Sequence, residues 1–153
     1  MDFLYCVCYY VLIGVISFLF GRLISRLEFR FDRAPFRALD FEDEGRFYKR
    51  LGIARWQSRV PDMSRMFTKL MPPKKLSGRP SRAELLTMIN ETCVAEFIHV
   101  LLCLAGMAVF WIWPGAGGII VWLVYCLVGN LPFIIIQRYN RPRLVRLLGC
   151  CPA

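Results

Sequence analysis

The chain has 153 residues, 57% of them hydrophobic, and carries 20 Lys and Arg against 11 Asp and Glu, a net charge of +9. Soluble proteins are usually about 45–50% apolar, so this share, combined with so many charges, requires that apolar and charged residues occupy separate stretches. These totals argue against a water-soluble protein and indicate a small multi-span membrane protein. With the helix-length apolar stretches described below, we predict an all-α integral membrane protein, a single membrane domain over 1–153. Because the basic residues lie beside apolar stretches, where anionic lipid headgroups attract them, nucleic acid is not an expected partner.

The first apolar stretch, 3–20, contains no charged residue. It is just long enough to cross a bilayer, which takes about 20 helical residues. The basic residues that flank it, Arg22 and Arg26, follow the stretch, whereas a signal peptide carries its basic residues first. We therefore interpret 3–20 as an uncleaved first transmembrane helix.

The next segment, 21–93, mixes arginines with aromatic residues and methionines. Asp62 is placed to cap a short helix with a Met and Phe face. Basic amphipathic helices of this kind tend to lie on membrane surfaces, so the segment predicts cytoplasmic interfacial helices. Ser81 and Glu84 then form a capping-box pattern, which predicts the start of a long helix.

A helical hairpin dominates the rest of the chain, with spans at 94–113 and 119–136, a turn at 114–118 and a basic tail at 137–153. Three polar residues, Glu96, His99 and Asn130, fall inside the spans. Antiparallel pairing through the turn places His99 within one helical turn of Asn130, about 7 Å from the inner boundary. Ionisable residues inside a span are costly, so these positions suggest a functional site.

The orientation follows from the basic residues. All 20 Lys and Arg fall within 22–82 and 138–146, and basic flanks remain in the cytoplasm. We expect the N-terminus and the hairpin turn to lie outside, with the segment 21–93 and the C-terminus in the cytoplasm.

Several pieces of the chain match one known family. The most specific is the run Gln-Arg-Tyr-Asn-Arg-Pro-Arg-Leu at 137–144. The other matching positions, strong ones first, are Glu91-Thr92, Ala95-Glu96, Ile98-His99, Asn130, Pro132, and more weakly Phe41-Glu42, Gly45, Phe47, Arg55, Trp56 and Asp62. The chain thereby resembles the glycosyl-4,4'-diaponeurosporenoate acyltransferases of staphyloxanthin carotenoid biosynthesis. The resemblance implies an enzyme of the bacterial cell membrane that transfers a fatty acyl group to the sugar of a glycosylated carotenoid; a related glycolipid acceptor fits the same residues.

Acyl transfer to a hydroxyl needs a base for the hydroxyl proton. His99 is the one histidine of the chain, and Glu96 lies one turn earlier on the same helix face. We predict His99 as general base with Glu96 as the carboxylate that orients it. The alternative is a purely structural hydrogen bond between His99 and Asn130. A di-iron site would need a second Glu-x-x-His, so no metal is expected.

The arginines that follow the hairpin allow two interpretations. They anchor the hairpin at the inner surface, or their guanidinium groups bind the phosphates of an acyl thioester donor such as acyl-CoA. The complete set of predicted substrate-binding residues is Asn130, Gln137, Arg138, Tyr139, Asn140, Arg141, Arg143, Arg55, Trp56 and Asp62.

The expected partners are membrane lipids, the acyl donor and a glycosylated lipid or carotenoid acceptor, and no bound cofactor is expected. A rival prediction is a non-catalytic small membrane scaffold, or a partner subunit of a lipid-modifying enzyme. Three spans form only a modest enclosure, which also leaves a homo-oligomer as an alternative.

Overall fold

The computed structural model describes residues 1–60 and 80–150, and within these ranges every regular element is helical. Three helices are long and apolar enough to cross a membrane. They are the first long helix (Asp2–Ile24), the second (Arg82–Ile112) and the third (Ala116–Gly149). The predicted all-α class with three membrane-spanning helices is thereby confirmed.

Between the first and second long helices the described chain forms only short elements. A 3-10 helix covers Asp40–Gly45, α-helices cover Arg46–Arg50 and Ile53–Trp56, and a second 3-10 helix covers Gln57–Arg59. The helix expected after Asp62 lies outside the described residues. The location of this segment at the membrane interface stays a prediction.

The second long helix begins with the predicted capping box. The Ser81 backbone amide donates to Oε2 of Glu84 at 2.7 Å, and the Glu84 amide donates to Oγ of Ser81 at 3.2 Å. The exchange satisfies two amides that the helix start otherwise leaves without partners. One 3-10 stretch, Gly106–Ala108, interrupts the α-helical geometry before Val109–Ile112 completes the helix.

The hairpin turn is shorter than predicted. The third long helix begins at Ala116, so the predicted turn residues 116–118 are helical. Only Gly115, with a φ of 90°, needs the left-handed freedom of glycine. Gly118 serves close packing instead, because a Cβ at this position would lie 2.1 Å from the carbonyl oxygen of Trp113.

The third long helix changes geometry in its middle and extends well past the predicted span. Ala116–Val124 is α-helical, Tyr125–Asn130 is a π-helical turn, and Leu131–Gly149 is α-helical again. The predicted basic tail is therefore mostly helix, with Pro142 inside it. π-helical turns are rare and frequent at functional sites.

The chain divides into two compact units. The apolar unit comprises Met1–Phe29 and Cys93–Ile135, and the basic unit comprises Arg30–Thr92 and Ile136–Ala153.

Aromatic contacts tie the three long helices together within the apolar unit. The Tyr9 hydroxyl donates to the Ala105 carbonyl at 2.7 Å. The Tyr10 ring stacks on Tyr125, with centroids 3.9 Å apart. Many large apolar side chains of the first and third helices are half exposed or more, as expected of surfaces that face lipid.

The basic unit has a small aliphatic core. Phe31, Met88 and Val145 pack against it while remaining partly buried. The buried members of this core come from the start of the second long helix and the end of the third: Leu85, Ile89, Leu144 and Leu148.

Candidate functional site

The apolar unit brings together two of the polar residues predicted from the sequence. Nδ1 of His99, on the second long helix, lies 3.0 Å from Oδ1 of Asn130, on the third. Asn130 is 1% exposed, whereas His99 is partly buried. The antiparallel pairing of the two helices therefore located the contact correctly. This hydrogen bond is the one that the structural alternative predicts, and it is compatible with a catalytic His99.

The π-helical turn determines how Asn130 is held. Its side-chain Nδ2 donates to the backbone carbonyl of Tyr125, at the beginning of the same turn, at 3.0 Å. A carbonyl oxygen can only accept a hydrogen bond. The amide group must therefore point its NH₂ at Tyr125 and its oxygen at His99.

Phe133 packs against the face of the His99 ring and fixes its tilt. The two rings are stacked, with centroids 4.5 Å apart and planes 10° from parallel. Since Asn130 holds the edge of the imidazole and Phe133 covers one face, the ring has a defined position and tilt. Such preorganisation is what a proton acceptor in a reaction requires.

Glu96 is the second predicted catalytic residue. It lies one turn before His99 on the second long helix and is only 5% exposed. A carboxyl group at this depth is costly in a membrane helix. Its predicted role in orienting His99 stays a prediction, since the Nδ1 edge of the imidazole is held by Asn130.

In the basic unit, Arg138 is held by protein groups. Its guanidinium forms an ion pair with Glu42, including a 3.1 Å bond from Nη2 to Oε2. It also donates to the backbone carbonyls of Pro35 and Arg37, at 3.2 and 3.3 Å. Arg138 thus joins the third long helix to the segment that contains Glu42, as a structural brace.

Glu42 is 2% exposed and collects three donors. Besides Arg138, the Tyr48 hydroxyl and the Leu39 amide donate to its carboxylate. Burial by itself would raise the pKa of Glu42, but the hydrogen bond from Arg138 and those from Tyr48 and Leu39 outweigh it and hold the pKa below its usual value. Burial and the bond to Glu42 also raise the pKa of Tyr48.

Arg141 is a second brace. It is 3% exposed, and its Nε and Nη2 donate to the Thr92 hydroxyl and carbonyl at 3.0 and 3.1 Å. Nη1 donates to the Phe36 carbonyl at 2.7 Å, and the guanidinium lies over the Phe36 ring. The planar fork of arginine fits this set of acceptors in a way that lysine does not.

Arg143 differs from both. Its side chain is exposed, and its guanidinium carbon lies 4.9 Å above the ring centre of Tyr139. Attraction to an aromatic ring holds a cation in place, and here the side chain that carries the cation remains exposed. Among the three predicted phosphate-binding arginines, Arg143 has the geometry that best suits a soluble anion.

The remaining predicted substrate-binding residues that the structure describes belong to the basic unit. Tyr139 and Gln137 are buried, and Asn140 is partly exposed. Arg55 is exposed, and Trp56 donates from its indole to the Leu51 carbonyl at 3.4 Å. Asp62 lies outside the described residues.

Sequence reasoning missed two features of these units. Glu42 stood only as a weakly matching position, although a buried carboxylate with an arginine partner organises the basic unit. The π-helical turn was also missed. Its available signal was Pro132, two residues after Asn130, because proline lacks the backbone donor of a regular helix.

Comparison with known proteins identifies the family to which the chain belongs. A family model described as glycosyl-4,4'-diaponeurosporenoate acyltransferase matches residues 32–149. The chain belongs to this acyltransferase family. The enzyme of that name from Staphylococcus aureus strain bovine RF122 / ET3-1 is 30% identical over 145 residues, which cover 94% of this chain and 86% of the relative. The one from strain MRSA252 is 29% identical over the same shares. No solved structure matches the chain.

Membership makes the chain an acyltransferase, as the resemblance implied. The region matched by the family model includes His99 with Asn130, and Glu42 with Arg138. It begins after the first long helix, which therefore lies outside the matched region.

Proposed function

We propose that this protein transfers a fatty acyl chain from a thioester donor to a sugar hydroxyl of a glycosylated carotenoid or a related glycolipid. The names of the relatives support this acceptor class, since they are called glycosyl-4,4'-diaponeurosporenoate acyltransferases. The observation that carries the proposal is the His99 imidazole, held by Asn130 and Phe133 within a membrane-spanning hairpin.

In the proposed reaction His99 acts as the general base. The imidazole takes the proton of the sugar hydroxyl while the hydroxyl oxygen attacks the thioester carbonyl carbon, and a tetrahedral intermediate forms. The carbon–sulfur bond then breaks, the ester remains on the sugar, and the thiolate receives the proton from the imidazolium. Glu96, one turn away, stabilises the positive charge that the imidazole carries between these two steps.

We assign binding of the donor phosphates to Arg143 first. Its guanidinium is exposed and steadied on Tyr139, whereas Arg138 and Arg141 donate to protein acceptors. Guanidinium groups bind phosphate oxygens in pairs, so a donor such as acyl-CoA has a suitable partner here. Arg55, also exposed, is a second candidate contact.

We also propose that the basic unit and the C-terminus lie in the cytoplasm, with the N-terminus outside. The distribution of Lys and Arg supports this orientation. A reporter enzyme active only in the cytoplasm should be active when fused after the C-terminus. Activity of a reporter that works only outside the cell would contradict the proposal.

The reaction can be tested in liposomes that contain the purified protein, acyl-CoA and either a glycosylated carotenoid or a glycolipid without a carotenoid. We expect an acylated product, identified by mass spectrometry, together with release of one thiol for each ester formed. Absence of ester from either acceptor in folded protein would overturn the proposal. The rival role as a scaffold is not favoured, because the family is one of acyltransferases.

A further inference from the structure

We propose that Asn130 is a positioning residue, which keeps the proton of the neutral His99 imidazole on Nδ1 and thereby makes Nε2 the basic nitrogen. The catalytic meaning of this inference rests on the proposed function of His99. The inference itself concerns a protonation state that can be observed without any enzymatic assay.

First, the orientation of the Asn130 amide follows from its contact with the Tyr125 carbonyl. The atom 3.0 Å from the Tyr125 carbonyl must be the donor Nδ2, because two oxygen acceptors at that distance would repel each other. The π-helical turn places this carbonyl and Asn130 five residues apart on one helix, within reach of the side chain. The backbone thus selects which end of the amide faces the histidine.

The second step is the protonation of the imidazole. The Asn130 oxygen has no hydrogen to give, so the Nδ1 atom 3.0 Å away must be the donor. A neutral imidazole carries one N–H, which leaves Nε2 with the lone pair. Because Asn130 is 1% exposed, water does not readily replace this bond, and the other tautomer would place two acceptors against each other.

The third step concerns the reaction. With Nε2 unprotonated, His99 can accept the hydroxyl proton at that atom. Once it has done so, the bond from Nδ1–H to Asn130 becomes charge-assisted and stronger. Asn130 therefore selects the basic nitrogen before proton transfer and supports the imidazolium after it, and in this role it acts through His99.

The chain offers a direct test, because it contains a single histidine. Nitrogen NMR of full-length protein, grown on isotope-labelled histidine and purified through a histidine-free tag, would show only His99. At a pH where titration shows the ring to be neutral, we expect a protonated-type signal at Nδ1 and an unprotonated-type signal at Nε2. The reverse pattern in the wild-type protein would overturn the inference by itself.

Variants show whether Asn130 is the cause. Asn130→Leu, similar in size but without an acceptor, should give a spectrum that contains the Nε2-protonated form. Asn130→Asp keeps an acceptor and should retain protonated Nδ1. Gly129→Ala is the matched control in the same turn, since its Cβ would meet only Tyr125, at 3.7 Å, and its spectrum should match the wild type. An unchanged spectrum in folded Asn130→Leu would also overturn the inference.

The NMR result for the protonated nitrogen and the activity result for His99 can fail independently of each other. If the wild type shows protonated Nδ1 but loss of His99 leaves acyl transfer intact, the proposed function fails and the role of Asn130 in fixing the tautomer stands. If His99 is essential but the protonated nitrogen is Nε2, only the present inference fails.

Discussion

The imidazole of His99 lies against the ring of Phe133, with centroids 4.5 Å apart and an angle of 10° between the planes. Since Asn130 holds the Nδ1 edge of the same imidazole, two neighbours on the third long helix determine where the histidine points. The third long helix thus sets the position of the proposed base on the second helix.

Replacing Phe133 by Leu should slow the reaction without abolishing it. Stacked aromatic pairs are worth about 0.5–1.5 kcal/mol beyond their buried area, which corresponds to about a 2- to 10-fold fall in kcat if the stack serves the transition state. Phe133→Tyr keeps the ring and should retain most activity. Phe110→Leu, which loses a different ring pair with Trp122, is the matched control. Equal activity of Phe133→Leu and wild type would contradict a role for the stack.

Because of the ion pair between Glu42 and Arg138, the free energy of unfolding should depend on pH. The folded pKa of Glu42 is below its usual value, and an unfolded Glu titrates near about 4.3. Its contribution is therefore fully present above about pH 5 and is lost as the pH falls through the folded pKa. The unfolding of detergent-solubilised protein can be followed as the pH is lowered from about 5. The wild type should lose stability over this range, and Glu42→Gln should lose much less.

Above about pH 5, Glu42→Gln should be clearly less stable than wild type. Removing one partner of a buried ion pair typically costs about 3–5 kcal/mol. Asp40→Asn, an exposed carboxylate in the same short helix, is the control and should have little effect. A constant difference between wild type and Glu42→Gln down to strongly acidic pH would show that ionisation of Glu42 does not stabilise the fold.

Lysine substitutions should separate the buried arginines from the exposed one. Arg141→Lys cannot serve both acceptors of Thr92 and that of Phe36, and each buried acceptor left without a donor costs about 1–3 kcal/mol. We expect lower stability. Arg143→Lys should leave stability near that of wild type and raise KM for the acyl donor. Unchanged donor KM in Arg143→Lys would remove the assigned phosphate contact.

The start of the third long helix, next to the hairpin turn, should be sensitive to substitution at Gly118. A Cβ there would lie 2.1 Å from a backbone oxygen, so Gly118→Ala forces the turn to move, and overpacking of this kind costs about 1–3 kcal/mol. Gly14→Ala, where nothing lies within 4 Å of the added atom, should be neutral or slightly stabilising. Equal unfolding midpoints for the two variants would contradict the tight packing of the turn on Trp113.

Local signals in the sequence predicted the framework well. The capping box at Ser81 depends on residues three positions apart, and the three spans depend on uninterrupted apolar stretches. The contact of His99 with Asn130 was also predictable, since a short turn fixes which positions of two antiparallel helices share a level. In each case the determining residues are close in sequence or joined by a regular element.

The features that sequence analysis missed depend on packing contacts that local propensity does not encode. Glu42 and Arg138 are 96 positions apart and joined through irregular segments, so no periodicity relates them. Gly117 and Gly118 were read as turn residues because glycine favours turns, but packing against Trp113 is what requires their small size. Specific packing contacts, distant in the first case and local in the second, determined both outcomes.

The most direct test of the account is the turnover of His99→Gln, whose side chain remains polar and able to hydrogen-bond Asn130. General bases contribute roughly 100- to 10,000-fold to rate, so we predict a fall in kcat of at least about 100-fold in liposomes. Unfolding measurements should show the variant to be folded, with Gly129→Ala as the active control. Wild-type turnover in folded His99→Gln would contradict the account.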